Sequence, residues 1–103
     1  MQTVMLMRWA GVTPEQYQEA RSRVDWEGDP ADGGLFHVAG FDGDDLRVTD
    51  VWESPDHFQR FAEERLMPAV KEIGIEGEPE VTFYPAHAIF NAGVPQASAA
   101  SRA

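Results

Sequence analysis

Residues 46–73, LRVTDVWESPDHFQRFAEERLMPAVKEI, decide the fold because they join a buried strand to an amphipathic helix. The strand is expected over 45–53, and Ser54 followed by Pro55 is the pattern that caps and starts a helix. Apolar side chains then recur at spacings of three and four, which predicts one core-facing stripe. Pro68 falls inside that stripe, so we expect the helix to kink or restart just before it.

The remaining segments complete the order β-α-β-β-α-β. Thr13 and Gln16 are spaced as a capping box, and Tyr17 lies on the thin apolar face of the helix that follows. Asp42-Gly43 favours a hairpin turn, and Pro85 favours an edge position or a bulge for the last strand. The predicted strands are 3–9, 35–41, 45–53 and 80–90, and the predicted helices are 14–24 and 55–73.

This order predicts an α+β fold of the ferredoxin-like type, a four-stranded antiparallel sheet with two helices on one face. We expect a single domain over residues 1–92. Residues 93–103 have no periodicity and are expected to form a disordered tail. The strands are apolar on both sides although helices can cover only one, which predicts a second subunit on the bare face.

Composition limits the classes of function. The formal charge is −10, from 18 acidic and 8 basic residues, which predicts repulsion from nucleic acid and anionic membranes. Cysteine is absent, so disulfides, thiolate catalysis and cysteine-ligated metals are excluded. No apolar run approaches the ~20 residues that span a bilayer, and residues 1–4 show no secretory pattern. We therefore expect a cytoplasmic protein that binds neither nucleic acid nor membrane.

Motifs for metals and cofactors are also absent from the sequence. Neither G-x-G-x-x-G nor Walker A occurs, and there is no G-x-S-x-G. His37, His57 and His87 are not spaced as metal ligands, and the acidic residues of 42–45 belong to a turn. We expect no metal and no cofactor, and we interpret His57 as a solvated residue at the helix start.

The segment 48–58, VTDVWESPDHF, resembles the dimeric α+β barrel superfamily, and within it the antibiotic biosynthesis monooxygenase-like group. Members carry a similar strand-Trp-Glu-Ser, helix-Phe signature, and the element order over about 2–90 matches. The resemblance implies a homodimer whose sheets pack face to face, with one pocket per subunit between sheet and helices. The superfamily includes cofactor-independent monooxygenases acting on aromatic polyketides, haem-degrading enzymes, polyketide cyclases, muconolactone isomerases and stress-responsive proteins.

Two branches of that superfamily fit the chain poorly. Haem-degrading members use a histidine of the second helix as iron ligand, and residues 58–74 contain none. Their pocket asparagine on the first strand falls near Met5, which has no amide. Cyclase members rely on a histidine and a tyrosine of the second helix, which are missing here too.

The period of two along a strand brings a candidate catalytic pair together. Across a turn at Asp42-Gly43, His37 and Asp50 become direct or diagonal neighbours on one face. By the resemblance, the face that carries Trp52 is the pocket side. His37 is then a candidate general base, and Asp50 is the carboxylate that orients it. The alternative is a His–Asp pair that only fixes strand register.

The expected pocket walls are apolar and aromatic, which favours a flat hydrophobic ligand. Leu35 and Trp52 are predicted on the His37 face, and the first strand adds residues of matching parity. The predicted substrate-contacting residues are Met5, Met7, Trp9, Leu35, Trp52, Phe61 and Leu66. The alternative is that these side chains are simply core.

These residues suit proton abstraction from a phenol or an acidic carbon, after which the substrate anion can react with oxygen without metal or flavin. The first hypothesis is a cofactor-independent monooxygenase-like enzyme acting on a hydrophobic or aromatic small molecule. One alternative is a non-catalytic ligand-binding or stress-responsive barrel. Another is an isomerase or cyclase of the same superfamily, which needs no oxygen.

Overall fold

The computed structural model describes residues 1–93, which form one sheet with helices packed on one of its faces. Its elements are β1 Thr3–Ala10, α1 Pro14–Val24, β2 Gly34–Asp42, β3 Asp45–Trp52, α2 Pro55–Phe61, a π-helical segment Ala62–Leu66, α3 Met67–Ile73 and β4 Glu80–Pro85. The strands pair antiparallel in the order β2-β3-β1-β4. The predicted α+β, ferredoxin-like architecture is confirmed. The predicted tail, 93–103, lies outside the described residues except for Gly93.

The start of α1 follows its sequence closely. Thr13 Oγ1 accepts a hydrogen bond from the Gln16 N–H at 3.1 Å, and the Gln16 side chain accepts one from the Thr13 N–H, which completes the predicted capping box. The Tyr17 N–H makes the next bond, 3.0 Å to the Thr13 carbonyl. Tyr17 is thereby fixed near the capped end of α1, where its side chain packs on the core.

The second helix is interrupted by a π-helical segment shortly before Pro68. Proline donates no hydrogen bond and its ring clashes with the carbonyl four residues earlier, so a regular α-helix is kinked or broken there. The chain widens into the π-helical segment, in which the Met67 N–H reaches back to the Ala62 carbonyl, and α3 then starts with Pro68 in its first turn. The predicted restart is confirmed.

A bulge at the start of β2 changes the predicted register at one point. The pairing shifts between Gly34 and Phe36, so Leu35 is the extra residue and Gly34 lies opposite Trp52. Strict alternation placed Leu35 beside Trp52, and that prediction is wrong. Beyond the bulge the pairing returns to the expected alternation.

The last strand is shorter than its sequence suggested. β4 ends at Pro85 instead of residue 90, because proline has no N–H to donate to the ladder. β4 lies at the edge of the sheet, which confirms the prediction for a strand that contains proline.

Both faces of the sheet carry apolar side chains, and the helices cover one of them. On the covered face, the strands contribute the buried residues Met5, Met7, Trp9, Leu46, Val48 and Trp52. On the opposite face, the exposed apolar side chains are Leu6, Phe36, Val38 and Tyr84. The two-sided apolar pattern is therefore confirmed, and the second subunit stays a prediction. Among the described residues, no helix is long and apolar enough to cross a bilayer.

Two glycines with the same backbone angle provide a matched test of packing beside β2. Gly11 and Gly33 both have φ of 83°, but a Cβ at Gly33 would overlap the His57 ring, whereas one at Gly11 would meet nothing within 4 Å. Gly11→Ala should lower the free energy of unfolding by about 1 kcal/mol, the cost of a left-handed alanine. Gly33→Ala should cost about 2 to 4 kcal/mol in urea denaturation, since overpacking is added.

In a His57→Ala background, the cost of Gly33→Ala should fall part of the way toward that of Gly11→Ala, because the ring is removed while the Cβ of residue 57 stays 2.8 Å from the added Cβ. Equal costs for the two glycine substitutions in the wild-type background would contradict the contact between Gly33 and His57.

Candidate functional site

A chain of hydrogen bonds leads from the core to the surface beside β2. Asp50 is 5% exposed, and its Oδ2 accepts from Trp52 Nε1 at 3.0 Å. Its Oδ1 lies 2.7 Å from His37 Nδ1, and His37 Nε2 lies 2.7 Å from the Tyr17 hydroxyl. These four side chains, Tyr17, His37, Asp50 and Trp52, are called the polar network below.

Strand pairing places three members of this network, and α1 places the fourth. Asp50 and Trp52 are two residues apart on β3, so their side chains share a face. His37 on β2 is the direct partner of Asp50, which confirms the predicted contact. Tyr17 was not predicted to take part. The available signal was its hydroxyl, because a tyrosine on a core-facing helix stripe needs a hydrogen-bond partner.

The donors and acceptors of the network match one neutral tautomer of His37. Indole nitrogen can only donate, and an ionised carboxylate can only accept. In the neutral tautomer that fits these partners, His37 carries its proton on Nδ1 and donates it to Asp50, and Nε2 accepts from the Tyr17 O–H. Within residues 1–93, no buried side-chain nitrogen or oxygen lacks a hydrogen-bond partner. The basic nitrogen of His37 thus faces the Tyr17 hydroxyl.

Burial raises the pKa of Tyr17 from 10.0 to about 12. The Arg21 guanidinium opposes the rise, while the Asp50 and Glu27 carboxylates add to it. Tyr17 is therefore a neutral phenol at physiological pH, as a hydrogen-bond donor to His37 must be.

Aromatic rings border the surface end of the network. The half-buried Trp26 lies 5.2 Å from His37 and 5.9 Å from Tyr17, measured between ring centroids. The His37 side chain nevertheless keeps 32% of its surface exposed. The His37 side chain is therefore partly accessible beside an aromatic wall.

The loop that carries Trp26, residues 25–33, is held to the helical layer by charged groups. Arg65 donates to the carbonyl oxygens of Val24 and Asp29 at 2.8 and 2.7 Å. Arg21 makes a two-pronged contact with Glu27, at 2.6 and 2.8 Å. These bonds position Trp26 over the network although the loop has no regular secondary structure of its own.

An apolar cleft of about 250 Å³ lies apart from the network, between the sheet and the second helix. Its lining residues are Met7, Phe58, Ala62, Leu66, Met67, Glu78, Pro79 and Val81. Met7 and Leu66 were predicted to contact substrate, and the π-helical segment supplies Leu66. His37 and Asp50 do not line this cleft, so the structure separates the predicted base from the larger cavity.

Aromatic packing forms the partition between the network and the cleft. The Trp52 ring lies 5.5 Å from Phe58 and 5.4 Å from Phe61, measured between centroids. Phe58 lines the cleft, and Phe61 lines a smaller cavity of about 50 Å³ beside His57. The Trp52 ring thus packs on core aromatic rings, and its nitrogen donates a hydrogen bond to Asp50.

Three other predicted wall residues lie elsewhere. Met5 is fully buried, and Trp9 is buried with its Nε1 donating to the Glu76 carbonyl at 3.0 Å. Neither Met5 nor Trp9 lines either of the two cavities. Leu35, displaced by the bulge, is 48% exposed.

A second polar cluster was missed by sequence spacing. Asp32, Glu53 and His57 each offer a ligand atom within 4.8 Å of the others. The two carboxylates are exposed, and Arg60 lies 3.6 Å from Asp32 as a competing cation, so we assign no ion to the cluster. His57 is half-buried and bonded to Ser54 Oγ at 2.6 Å, so its interpretation as a solvated residue is wrong.

Comparison with known proteins gives matches at the level of structure. No protein-family profile and no curated protein sequence matches the chain. Twenty-seven chains of solved structures do match. A mutant form of SnoaB, a cofactor-independent oxygenase from Streptomyces nogalater, aligns with a TM-score of 0.63 and 15% identity, over 85% of this chain and 95% of that chain.

Two proteins of Nitrosomonas europaea align over similar lengths. One, of unknown function, has a TM-score of 0.67 and 14% identity, over 89% of this chain and 96% of its own. The other, described as a candidate antibiotic biosynthesis monooxygenase, has a TM-score of 0.63 and 10% identity, over 84% and 90%. The chain therefore has the fold of antibiotic biosynthesis monooxygenase-like proteins, as the sequence resemblance implied.

Alkaline unfolding should report the environment of Tyr17. Its pKa is about 12 in the folded protein and 10.0 for an ordinary tyrosine. The neutral phenol stabilises the fold fully below pH 10, and the contribution is lost as pH rises toward 12. Over that interval, the wild type should lose about 1 to 2 kcal/mol more than Tyr17→Phe in urea denaturation, allowing for the solvated part of the ring.

The matched control is Tyr84→Phe, since Tyr84 lies on the opposite face of the sheet from the polar network and phenylalanine keeps its apolar ring. That variant should keep the loss of stability that depends on Tyr17. Parallel curves for Tyr17→Phe and the wild type would contradict the buried phenol.

Proposed function

We propose that this protein is a cofactor-independent, monooxygenase-like enzyme that removes a proton from a hydrophobic or aromatic small molecule. The main support for the proposal is the 2.7 Å contact between His37 Nδ1 and Asp50 Oδ1, together with the 32% of the His37 side chain that remains exposed. The buried carboxylate holds the imidazole in the tautomer whose other nitrogen is basic. The fold shared with a cofactor-independent oxygenase supports the same activity.

In this proposal, His37 is the general base and Asp50 orients it. Asp50 also stabilises the imidazolium that forms when His37 takes up a proton. A methylene group flanked by aromatic rings suits such a base, because its carbanion is delocalised and can pass electrons to oxygen. The methylene and one O₂ give a ketone and one water, so the reaction is balanced without a metal or an organic cofactor.

We place the substrate at the surface end of the polar network, against Trp26 and the exposed edge of His37. We do not place the substrate in the cleft beside Leu66, because His37 does not line that cleft. Trp52 then serves as a donor to Asp50 and not as the wall that the sequence suggested. The proposed setting is the cytoplasm.

A non-catalytic ligand-binding protein is the second candidate, and the separation of cleft and network favours it. The cleft is lined mainly by apolar side chains, which suits a compact hydrophobic ligand. The polar network would then be structural. Such a protein would bind 1-anilinonaphthalene-8-sulfonate in the cleft, and Ala62→Phe would reduce that binding, while no substrate is turned over.

Anthrone, with one methylene between two aromatic rings, is a suitable probe, and its oxidation to anthraquinone can be followed by absorbance. His37→Asn should lower kcat about 100- to 10,000-fold, because the amide cannot take up the proton. The matched control is His87→Asn. His87 follows β4, which lies at the opposite edge of the sheet from β2, so this variant should retain the wild-type rate.

Oxygen removal separates the remaining alternatives. Without oxygen, an oxygenase should form no anthraquinone but should still exchange the methylene hydrogens with deuterated solvent. Anaerobic conversion of the probe to an isomer would indicate an isomerase or cyclase instead. An unchanged rate for His37→Asn would overturn the assignment of the base.

We also propose a homodimer formed through the uncovered face of the sheet. Phe36 and Phe41 offer a matched pair on β2, at 38% and 41% exposure, on opposite faces. Phe36→Glu should yield a monomer in size-exclusion chromatography with light scattering, because it places a charge in an apolar interface. Phe41→Glu should remain a dimer. A monomeric wild type, or equal masses for the two variants, would contradict the proposed interface.

A further inference from the structure

The Tyr17 hydroxyl lies where the substrate of a His37 base would otherwise be expected. It is 2.7 Å from His37 Nε2, and this contact is at the exposed end of the polar network, while Asp50 is at the buried end. The basic nitrogen therefore already has a partner. A substrate reaches His37 either by displacing Tyr17 or by acting through it.

The local structure opposes displacement of Tyr17. Its backbone belongs to the capped start of α1, and its ring packs on the hydrophobic core and against Trp26 at 5.9 Å. Moving the hydroxyl away from His37 would require the ring to leave this packing. The phenol is therefore held in place before any substrate binds.

The relative orientation of the two rings suits proton transfer along the hydrogen bond. The planes of Tyr17 and His37 differ by 2°, and their centroids are 6.2 Å apart. That separation is too long for a face-to-face stack and fits rings joined edge to edge through the hydroxyl. The 2.7 Å distance between the Tyr17 hydroxyl and His37 Nε2 is short enough for the proton to pass along the hydrogen bond.

We infer that Tyr17 is a catalytic residue of this enzyme, which takes the proton of the substrate while passing its own proton to His37. This inference rests on the proposed function. The C–H bond of the substrate breaks and its proton bonds to Tyr17 Oη, as the former hydroxyl proton bonds to His37 Nε2. The electron pair stays on the substrate as a carbanion. Tyr17 is neutral before and after, and the imidazolium faces the Asp50 carboxylate at 2.7 Å.

The environment of Tyr17 keeps it in the protonation state that a relay needs. Burial holds its pKa at about 12, so a free phenolate is disfavoured and the hydroxyl proton is present at neutral pH. The Trp26 ring lies 5.9 Å from the Tyr17 ring and 5.2 Å from the His37 ring, measured between centroids, so an aromatic surface borders the relay. Flat aromatic molecules with an acidic C–H are therefore the substrate class that fits the relay.

The test is the oxidation of anthrone by Tyr17→Phe, with Tyr84→Phe as matched control. Removal of the Tyr17 oxygen should lower kcat at least about tenfold, with KM within about threefold, because proton transfer is lost while the aromatic surface remains. Tyr84→Phe should match the wild type. Urea denaturation at neutral pH checks that both variants are folded.

Solvent isotope effects separate the relay from a structural role. In the wild type, the Tyr17 hydroxyl proton exchanges with solvent and moves in the reaction, so kcat should fall in D₂O. In Tyr17→Phe, the carbon-bound proton passes directly to His37. On initial rates, measured before the methylene exchanges with solvent, the solvent effect should therefore fall toward unity while the effect of deuterating the anthrone methylene remains. Tyr84→Phe should keep both effects.

The possible failures are distinct. An unchanged or higher kcat in Tyr17→Phe, with His37→Asn inactive, overturns the relay and leaves the proposed function standing. A lower kcat with an unaltered solvent isotope effect also overturns the relay. Absence of a solvent isotope effect in the wild type overturns the relay even if Tyr17→Phe does not fold. If the wild type does not oxidise anthrone, the proposed function fails, and the relay falls with it.

Discussion

The buried carboxylate of Asp50 is the constraint on which the rest of the site depends. A buried charge is tolerated when donors satisfy both of its oxygens, and removal of one donor leaves a costly unpaired group. Here one donor is Trp52 on the same strand and the other is His37 on the neighbouring strand. Strand register, the orientation of the indole and the tautomer of the imidazole are therefore fixed together.

Separation of the polar network from the apolar cleft determines how the protein can work. Binding sites usually combine an apolar cavity with a few convergent polar groups. In this protein, Trp52 and the phenylalanines packed on it lie between the two features. Chemistry at His37 must therefore use the surface beside Trp26, whereas simple ligand binding could use the cleft. The proposed catalytic site and the cleft that suits a ligand are therefore separate regions of the fold.

Much of this arrangement could be predicted from local sequence rules. The capping box at Thr13, the helix restart at Pro68 and the pairing of His37 with Asp50 follow from side-chain chemistry or from the period of two along a strand. The bulge at Leu35 could not be predicted, because alternation assumes an unbroken ladder. Nor could the contact of Tyr17 with His37, which depends on how a helix and a strand far apart in sequence pack together.

The protonation of the two ring nitrogens of His37 can be measured directly by NMR. In ¹⁵N-histidine-labelled protein, long-range ¹H–¹⁵N correlation spectra distinguish the two ring nitrogens, and His37→Asn identifies the relevant signals. At a pH where the ring is neutral, the hydrogen bonds of the polar network predict a proton on Nδ1, bonded to Asp50, and an unprotonated Nε2 that accepts from Tyr17. A proton found on Nε2, with Nδ1 bare, would contradict the network and the base that depends on it.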